Sequence, residues 1–225
     1  MSLKIAALIA AGAAAVVGGG IAYAGIVQTQ ISWSEAPTVS DIAAAYPARA
    51  KAAGIGGSVN LTCEMGRDGH PKDCEALTEK PSGYGFGAAA RKLAEAKLKD
   101  EGTNLYHQNI FIPVTFDAAV LKNEAIVTKP SWVTLPTPED LNATFPKTQN
   151  GVNQVRVVLG CTVEAGGALG ACAVADETPA GQGYGAGALA LASKFRLEPW
   201  TADGEPTVGA KIKLPIRYEL TPVQK

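Results

Sequence analysis

The stretch CEMGRDGHPKDC, residues 63–74, carries much of the information about how this chain folds, because an altered copy of it follows. The copy is CTVEAGGALGAC, residues 161–172, and its two cysteines are again 11 positions apart. Asp68-Gly69 and Gly166-Gly167 lie in the middle of the two stretches. Such pairs are preferred in two-residue hairpin turns, where φ must be positive. The sequence therefore predicts two antiparallel hairpins, each with one cysteine on each strand.

Each predicted hairpin brings its two cysteines directly opposite one another. The pairs are Cys63 with Cys74 and Cys161 with Cys172. Opposed residues of antiparallel strands have Cα atoms about 4.5–5.5 Å apart, which a disulfide tolerates. Two equivalent disulfides are predicted, each contributing roughly 3 kcal/mol if the stabilisation comes from closing a short loop.

Zinc binding is the rival interpretation of the four cysteines, and their spacing does not favour it. Neither pair has the C-x₂₋₄-C spacing of zinc sites, and the two histidines, His70 and His107, have no counterparts in the other copy. Neither pair is C-x-x-C, the spacing of redox-active dithiols. No metal and no cofactor is expected.

The repetition extends well beyond the cysteines. Trp33, Pro37 and Asp41 are matched 99 positions later by Trp132, Pro136 and Asp140. Each hairpin is followed by a glycine-rich stretch, then an alanine- and leucine-rich helix, then a closing strand. The predicted helices are 88–97 and 186–194, and the predicted closing strands are 109–116 and 210–220. A repeat of this length has the size of a small domain. The predicted fold class is α+β, with two tandem domains that each pack a helix on a three-stranded antiparallel sheet.

The glycine-rich stretches, 81–87 and 179–187, resemble phosphate-binding loops only superficially. Neither contains G-x-x-x-x-G-K-[ST], and neither has the G-x-G-x-x-G spacing. They follow a hairpin strand and do not open a βαβ unit. We interpret their glycines as allowing a sharp turn and a close approach of the helix to the sheet.

The second closing strand alternates between apolar and charged residues. Ile212, Leu214, Ile216 and Tyr218 alternate with charged residues that include Lys211 and Lys213. This pattern is typical of a strand with one buried and one wet face. Pro113 and Pro215 lie inside the two closing strands, and proline favours an edge strand or a bulge.

The N-terminus has the pattern of an export signal. Lys4 precedes an apolar run, and Ala22-Tyr23-Ala24 is a small-x-small cleavage site. The uncharged stretch Ile5–Val27 is also long enough to span a bilayer, so an uncleaved anchor remains the alternative. The predicted organisation is a signal peptide or anchor over 1–24, a first domain over 25–120, a linker over 121–131 and a second domain over 132–225. The predicted disulfides agree with a periplasmic location.

Composition argues against two classes of function. The formal net charge is −1 and the charges are interspersed, so nucleic-acid binding is not expected. No nucleophile–histidine–acid arrangement occurs in both copies, so no catalytic residue and no enzymatic activity are predicted.

The residues resemble the C-terminal domain of TonB, the periplasmic energy-transducer family. In the first copy the resemblance rests on Tyr46-Pro-Ala-Arg-Ala50, 54–59 and Asp68-Gly69. In the second it rests on Glu198-Pro-Trp200 and 214–218. Members of the family bind an extended segment of an outer-membrane receptor as an added strand. The resemblance implies that the second closing strand is the partner-binding edge, with Lys211, Lys213, Leu214, Ile216 and Tyr218.

The chain departs from TonB proper at its N-terminus. Only residues 25–32 separate the apolar segment from Trp33, and the long proline-rich spacer of the family is missing between them. The predicted function is therefore a non-enzymatic periplasmic protein-binding module with a connection to TonB-dependent transport. The alternative is a membrane-anchored accessory subunit of a larger membrane complex. The expected partner is a receptor segment or such a complex, and membrane contact is expected only if Ile5–Val27 stays uncleaved.

Overall fold

A computed structural model of the protein describes residues 5–6, 26–27, 31–100, 102, 105–144 and 154–220. Apart from Ile5 and Ala6, the predicted leader 1–24 lies outside these ranges. Within the part of the chain that the structure describes, no helix is long and apolar enough to cross a membrane. The choice between signal peptide and anchor stays a prediction.

Short helices and mostly antiparallel strands make up the described chain. The α-helices are α1 Val39–Ala45, α2 Ala48–Ala53, α3 Phe86–Lys97, α4 Pro138–Thr144 and α5 Tyr184–Leu191, and 3₁₀ turns span Ala118–Lys122, Ala165–Gly167 and Ala192–Lys194. The strands are β1 Ile5–Ala6, β2 Ile26–Val27, β3 Trp33–Glu35, β4 Gly57–Met65, β5 Pro71–Lys80, β6 Lys99–Asp100, β7 Asn109–Phe116, β8 Ile126–Val127, β9 Trp132–Thr134, β10 Gln154–Val163, β11 Leu169–Thr178, β12 Arg196–Leu197 and β13 Lys211–Leu220.

These elements form two compact units. The first unit contains the elements from β2 to β8 and, in addition, residues Glu198–Ala210. The second unit contains β1, the elements from β9 to β12 and β13. Residues 198–210 were predicted to belong to the second domain, so their position in the first unit is a difference that sequence did not anticipate. The predicted linker 121–131 is also packed, because Ala125 and Val127 are buried.

The first unit has a sheet of three long antiparallel strands with a helix packed on it. The strand order is β2-β7-β4-β5, in which β4 pairs antiparallel with β5 and β7, and the two-residue β2 runs parallel to β7. Three aromatic rings fill the core: Tyr46 lies edge-on to Phe86 and Phe116, with ring centroids 5.8 and 5.7 Å away. The Tyr46 hydroxyl, 2.8 Å from the Ile55 carbonyl, donates a hydrogen bond that satisfies it inside the core.

The second unit repeats this arrangement of sheet and helix. Its strand order is β1-β13-β10-β11, with β10 antiparallel to both long neighbours. The helix α5 packs against β10 and β11. Leu159, Tyr184 and Tyr218 are among its fully buried side chains. The structure is thus a mixed α/β protein with antiparallel sheets, as predicted, and the interpretation of both units as TonB-like domains remains a proposal.

Both predicted disulfides are present, and both lie at a bulge that the sequence did not reveal. In the first hairpin Thr62 pairs with Glu75 but Glu64 pairs with Lys72, so Asp73 and Cys74 together oppose Cys63. The extra residue Asp73 has a φ of 51°. Its counterpart Ala171 in the second hairpin has a φ of 46°. The cysteine Cα atoms are 4.1 Å apart in both hairpins.

The bulges correct the predicted turns. One extra residue on the second strand shifts the register by one position. As a result, Met65 pairs with Pro71, and Val163 pairs with Leu169. Five-residue loops, 66–70 and 164–168, therefore replace the two-residue turns expected from Asp68-Gly69 and Gly166-Gly167.

The glycine-rich stretches form the predicted sharp turns, and a carboxylate accepts hydrogen bonds at the start of the helix that follows each one. Gly85 and Gly183 have φ near 90° and 84° and directly precede α3 and α5. Glu79 on β5 accepts hydrogen bonds from the Gly85 and Phe86 amides at 3.0 and 3.1 Å. Glu177 on β11 accepts one from the Tyr184 amide at 3.1 Å. Each helix N-terminus is thus capped by the hairpin on which it packs.

The helices α1 and α4 were not predicted, although their caps are visible in the sequence. Thr38 and Asp41 form a capping box at α1, with the Asp41 amide donating to the Thr38 hydroxyl and Asp41 accepting from the Thr38 amide. Thr137 and Asp140 make the same two hydrogen bonds at α4. The motif T-x-x-D is a short form of the capping-box signal, and it precedes too few apolar residues to be recognised with ease.

Candidate protein-binding edges

The structure divides the predicted partner-binding residues of β13 into two groups. Leu214, Ile216 and Tyr218 are core residues, exposed by only 1–2% of their surface. Burial raises the pKa of Tyr218 to about 12. Lys211 and Lys213 are exposed. The apolar members therefore hold the strand in the core, and only its backbone and its lysines remain for the predicted partner contact.

The orientation of the β13 backbone follows from Pro215. The register with β10 is unbroken from Thr162–Lys211 to Gln154–Glu219. A proline without an N–H is accommodated in such a ladder where its backbone faces away from the partner strand. Because residues two apart share a side, the backbone of Lys213 also faces away from β10. This side of β13 is the predicted edge for strand addition. β1 already pairs with its C-terminal end, at Glu219 and Leu220, so an added segment would pair with the part of β13 that precedes these residues.

The corresponding side of β7 in the first unit is covered by the chain itself. The Thr115 amide, which points away from β4, donates to the Gly204 carbonyl at 2.7 Å. The Thr115 hydroxyl donates to the Asp203 carbonyl at 2.8 Å. The indole of Trp200 donates to the Pro113 carbonyl at 3.3 Å. We call residues Glu198–Ala210, which make these contacts, the strap.

The strap is buried against the first unit by side chains as well as backbone. Trp200 is only 5% exposed, and Thr207 is completely buried. Gly204 has a φ of 80°, and a Cβ at this position would collide with the Pro113 carbonyl. The Val208 carbonyl accepts from the Val39 amide at 2.9 Å, which satisfies a free N–H in the first turn of α1.

Hydrogen bonds within the strap hold its shape. The Gly204 amide donates to the Thr201 carbonyl, and the Thr201 amide donates to the Glu205 carbonyl, both at 3.0 Å. The Thr207 hydroxyl donates to the Glu198 carbonyl at 2.8 Å. A β-bridge joins Trp200 to Pro206. The strap is therefore an ordered loop with its own internal connections.

Negative charge is concentrated where the strap meets the first unit. Asp203 forms an ion pair with Lys129 at 2.7 Å, which raises the pKa of Lys129. Glu205 is half-buried beside a cavity of about 20 Å³ whose lining includes Thr115 and Asp117. Burial raises the pKa of Glu205, and the nearby charges of Asp203 and Asp117 raise it further. Burial and the neighbouring carboxylates therefore both oppose ionisation of Glu205 in the docked strap.

A hollow lies beside the disulfide-bonded hairpin of the first unit, and the polar side chains around it make hydrogen bonds within the unit. It has a volume of about 530 Å³ and is lined by residues that include His70, Asp73 and Glu95. The Nδ1 of His70 is 2.9 Å from the Leu98 carbonyl, and Glu95 accepts from the Cys74 amide. Among the described residues, no group of three His, Cys, Asp or Glu side chains could hold a metal ion.

The first unit thus has an antiparallel sheet, a packed helix and a closing strand. Residues 42–118 match the family model described as the Gram-negative bacterial TonB protein C-terminal. An uncharacterized protein of Caulobacter vibrioides is 35% identical over 63 residues, which is 28% of this chain and 63% of that protein. The match therefore spans less than two thirds of that relative. No solved structure matches the chain.

Residues 42–118 of the first unit are therefore similar to the C-terminal domain of TonB. The match ends at residue 118, so it does not include the strap. One sign of the strap is visible in the sequence, because Trp200 lies in an insertion of the second copy that has no counterpart in the first. Nothing in the local pattern showed that this insertion packs on β7.

Proposed function

We propose that the protein is a non-enzymatic, periplasmic protein-binding module with two TonB C-terminal-like domains. The observation that carries this proposal is the family match at residues 42–118, which coincides with the hairpin, helix and closing strand of the first unit. The second unit has the same order of hairpin, helix and closing strand. It also has the same disulfide and the same cap on its helix.

The proposed mode of binding is addition of an extended partner segment to the side of β13 that faces away from β10. Backbone hydrogen bonds supply affinity in such complexes, and flanking side chains supply selectivity. Lys211 and Lys213 are exposed on this strand and favour a segment with acidic side chains. The proposed partner is a segment of an outer-membrane receptor, which connects the protein to TonB-dependent transport.

A periplasmic location is supported by the two disulfides. All four cysteines are paired, and such bonds persist in oxidising compartments. The T-x-x-D caps, the hairpin disulfides and the buried aromatic core stabilise the units without requiring a ligand.

One observation favours a second candidate, an accessory subunit of a larger membrane complex. Val133 and Leu135, close together in the second unit, are 49% and 43% exposed. Exposed apolar neighbours are typical of a surface that another protein covers. This function would place the partner at β9 and would not require strand addition at β13.

A crosslinking experiment separates the two. A photo-reactive amino acid is placed at Lys213 in one variant and at Val133 in another, both expressed in the native cell envelope. Crosslinks from position 213 to an outer-membrane protein support strand addition. Crosslinks from position 133 alone, to inner-membrane proteins, would establish the accessory subunit.

The variant Lys213→Pro tests the backbone directly. It removes an N–H that faces away from β10, so the sheet keeps its internal ladder while an added strand loses a donor. Arg217→Ala, which alters an exposed side chain of the same strand and leaves every N–H in place, is the matched control. Capture of the crosslinked partner should fall for Lys213→Pro and persist for Arg217→Ala. Equal capture by both would place the binding edge elsewhere.

A further inference from the structure

We propose that the outer side of β7 is a second peptide-binding edge and that the strap occupies it as an autoinhibitory internal ligand. This inference rests on the proposed function, because it assumes that closing strands are binding edges. The ligand class is a peptide of the form Trp-x-x-x-Gly that forms a turn, as the strap does between Thr201 and Gly204. Such a segment reproduces the contacts of Trp200 and Gly204 and binds β7 once the strap has moved away.

The strap contacts β7 through one backbone hydrogen bond and two hydrogen bonds from side chains. The Gly204 carbonyl accepts a hydrogen bond from the Thr115 N–H. A neighbouring strand would accept from the same N–H. Pro113 has a carbonyl but no N–H. A partner at this position therefore needs to donate a hydrogen bond and does not need to accept one. The indole N–H of Trp200 is such a donor, since indole donates and does not accept.

The shape of the site also restricts which residues can bind at the positions of Trp200 and Gly204. Trp200 is almost fully buried, which makes it the anchor of the contact. Any side chain on Gly204 would collide with the Pro113 carbonyl. A peptide that binds here therefore needs a buried aromatic residue and, four positions later, a glycine.

Two features of the strap favour reversible docking over permanent attachment. Its internal hydrogen bonds, made by Thr201 and Thr207, let it leave and return without losing its shape. Its side chain Glu205 is half-buried near the carboxylates of Asp203 and Asp117, with Lys129 as the neighbouring cation. Like charge weakens docking, so a competing segment needs less affinity to displace the strap.

The experiment uses the strap's own sequence as the probe. A fluorescent peptide with residues 198–210 is titrated into the full-length oxidised protein and into its Trp200→Ala variant. The variant should bind the peptide at least tenfold more tightly than the wild type, because its own strap has lost its anchor. Trp132→Phe, which alters a tryptophan of the second unit, should behave as the wild type, and a peptide with alanine in place of tryptophan should not bind.

Equal affinity for wild type and Trp200→Ala, or no binding to a folded Trp200→Ala variant, would overturn the proposal. If that variant does not fold, hydrogen exchange on the wild type decides. The Thr115 amide, bonded to the strap, should exchange at least tenfold faster than the Val114 amide, which faces β4. Equal exchange would show that the strap opens only when the unit unfolds and would refute autoinhibition. Neither measurement involves a receptor, so either result is independent of the proposed partner.

Discussion

The indole nitrogen of Trp200 lies 3.3 Å from the carbonyl oxygen of Pro113, a residue 87 positions earlier in the chain. Pro113 cannot extend a β-ladder as a donor, and Trp200 offers a donor without an acceptor. The two residues are thus complementary in a way that neither shows alone. In the sequence, Pro113 indicates an edge strand. In the structure, the edge that contains Pro113 is covered by the strap.

The carboxylate of Glu79 should matter to the first unit far more than an ordinary surface charge. It caps two amides at the start of α3, so Glu79→Ala should lower the free energy of unfolding by about 1 kcal/mol. Glu79→Gln keeps an acceptor oxygen and should cost less. Chemical denaturation of both variants measures the difference. Glu75→Ala, an exposed acidic residue on the same strand, serves as the control and should have little effect. An equal loss in all three would mean that the cap does not stabilise the helix.

The two disulfides should stabilise the protein to a similar degree. Each closes a loop between cysteines 11 positions apart, so removing either should cost roughly 3 kcal/mol in the chain-entropy account. The variants are Cys63→Ser with Cys74→Ser, and Cys161→Ser with Cys172→Ser. Denaturant unfolding, with the intact mass confirming the remaining bond, gives the two values. A loss below about 1 kcal/mol in either variant would show that the bulged hairpin is already held by its sheet.

Two glycines should respond in opposite ways to the same substitution. A Cβ on Gly57 would overlap the ring of Phe86, so Gly57→Ala should destabilise the first unit by about 1–3 kcal/mol. A Cβ on Gly160 of β10 would have no atom within 4 Å, and this glycine has no positive φ. Gly160→Ala should therefore be neutral or stabilise by up to about 1 kcal/mol, because it restricts the unfolded chain. Thermal unfolding of the pair is the measurement, and a stable Gly57→Ala variant would contradict the close packing of β4 on α3.

Docking of the strap should weaken as the pH rises from acidic values. Burial, with Asp203 and Asp117, raises the pKa of Glu205 above its ordinary value of 4.5. The docked state therefore binds a proton more readily than the free state. The contribution of Glu205 to docking is fully present below 4.5 and disappears as the pH rises through the raised pKa. Lys129 moderates the effect without reversing it.

Acrylamide quenching of Trp200 measures this dependence. Trp33→Phe and Trp132→Phe leave Trp200 as the single tryptophan. Quenching should increase with pH in this background and stay constant when Glu205→Gln is added. Constant quenching in both proteins would mean that Glu205 is not coupled to docking.

Local chemistry made much of the fold predictable. The cysteine spacing and the central glycines predicted both hairpins and both disulfides, and alternation along 211–218 predicted which side of β13 is buried. The turns were predicted with the wrong length, because a bulge at Asp73 and Ala171 adds a residue that no local pattern marks. The capping roles of Glu79 and Glu177 depend on where a strand and a helix meet, so the carboxylates looked like ordinary strand charges.

The sequence by itself determined the repeated unit of hairpin, helix and strand, since turn formation, alternation and cysteine spacing act between residues close along the chain. Only the tertiary structure decided that Glu198–Ala210 packs on β7, because that contact joins Trp200 to Pro113 and Gly204 to Thr115 across more than 80 positions. Burial of an indole and pairing of an edge amide lower the free energy wherever a complementary surface exists. Which surface is within reach is set by the folded chain and not by its local pattern.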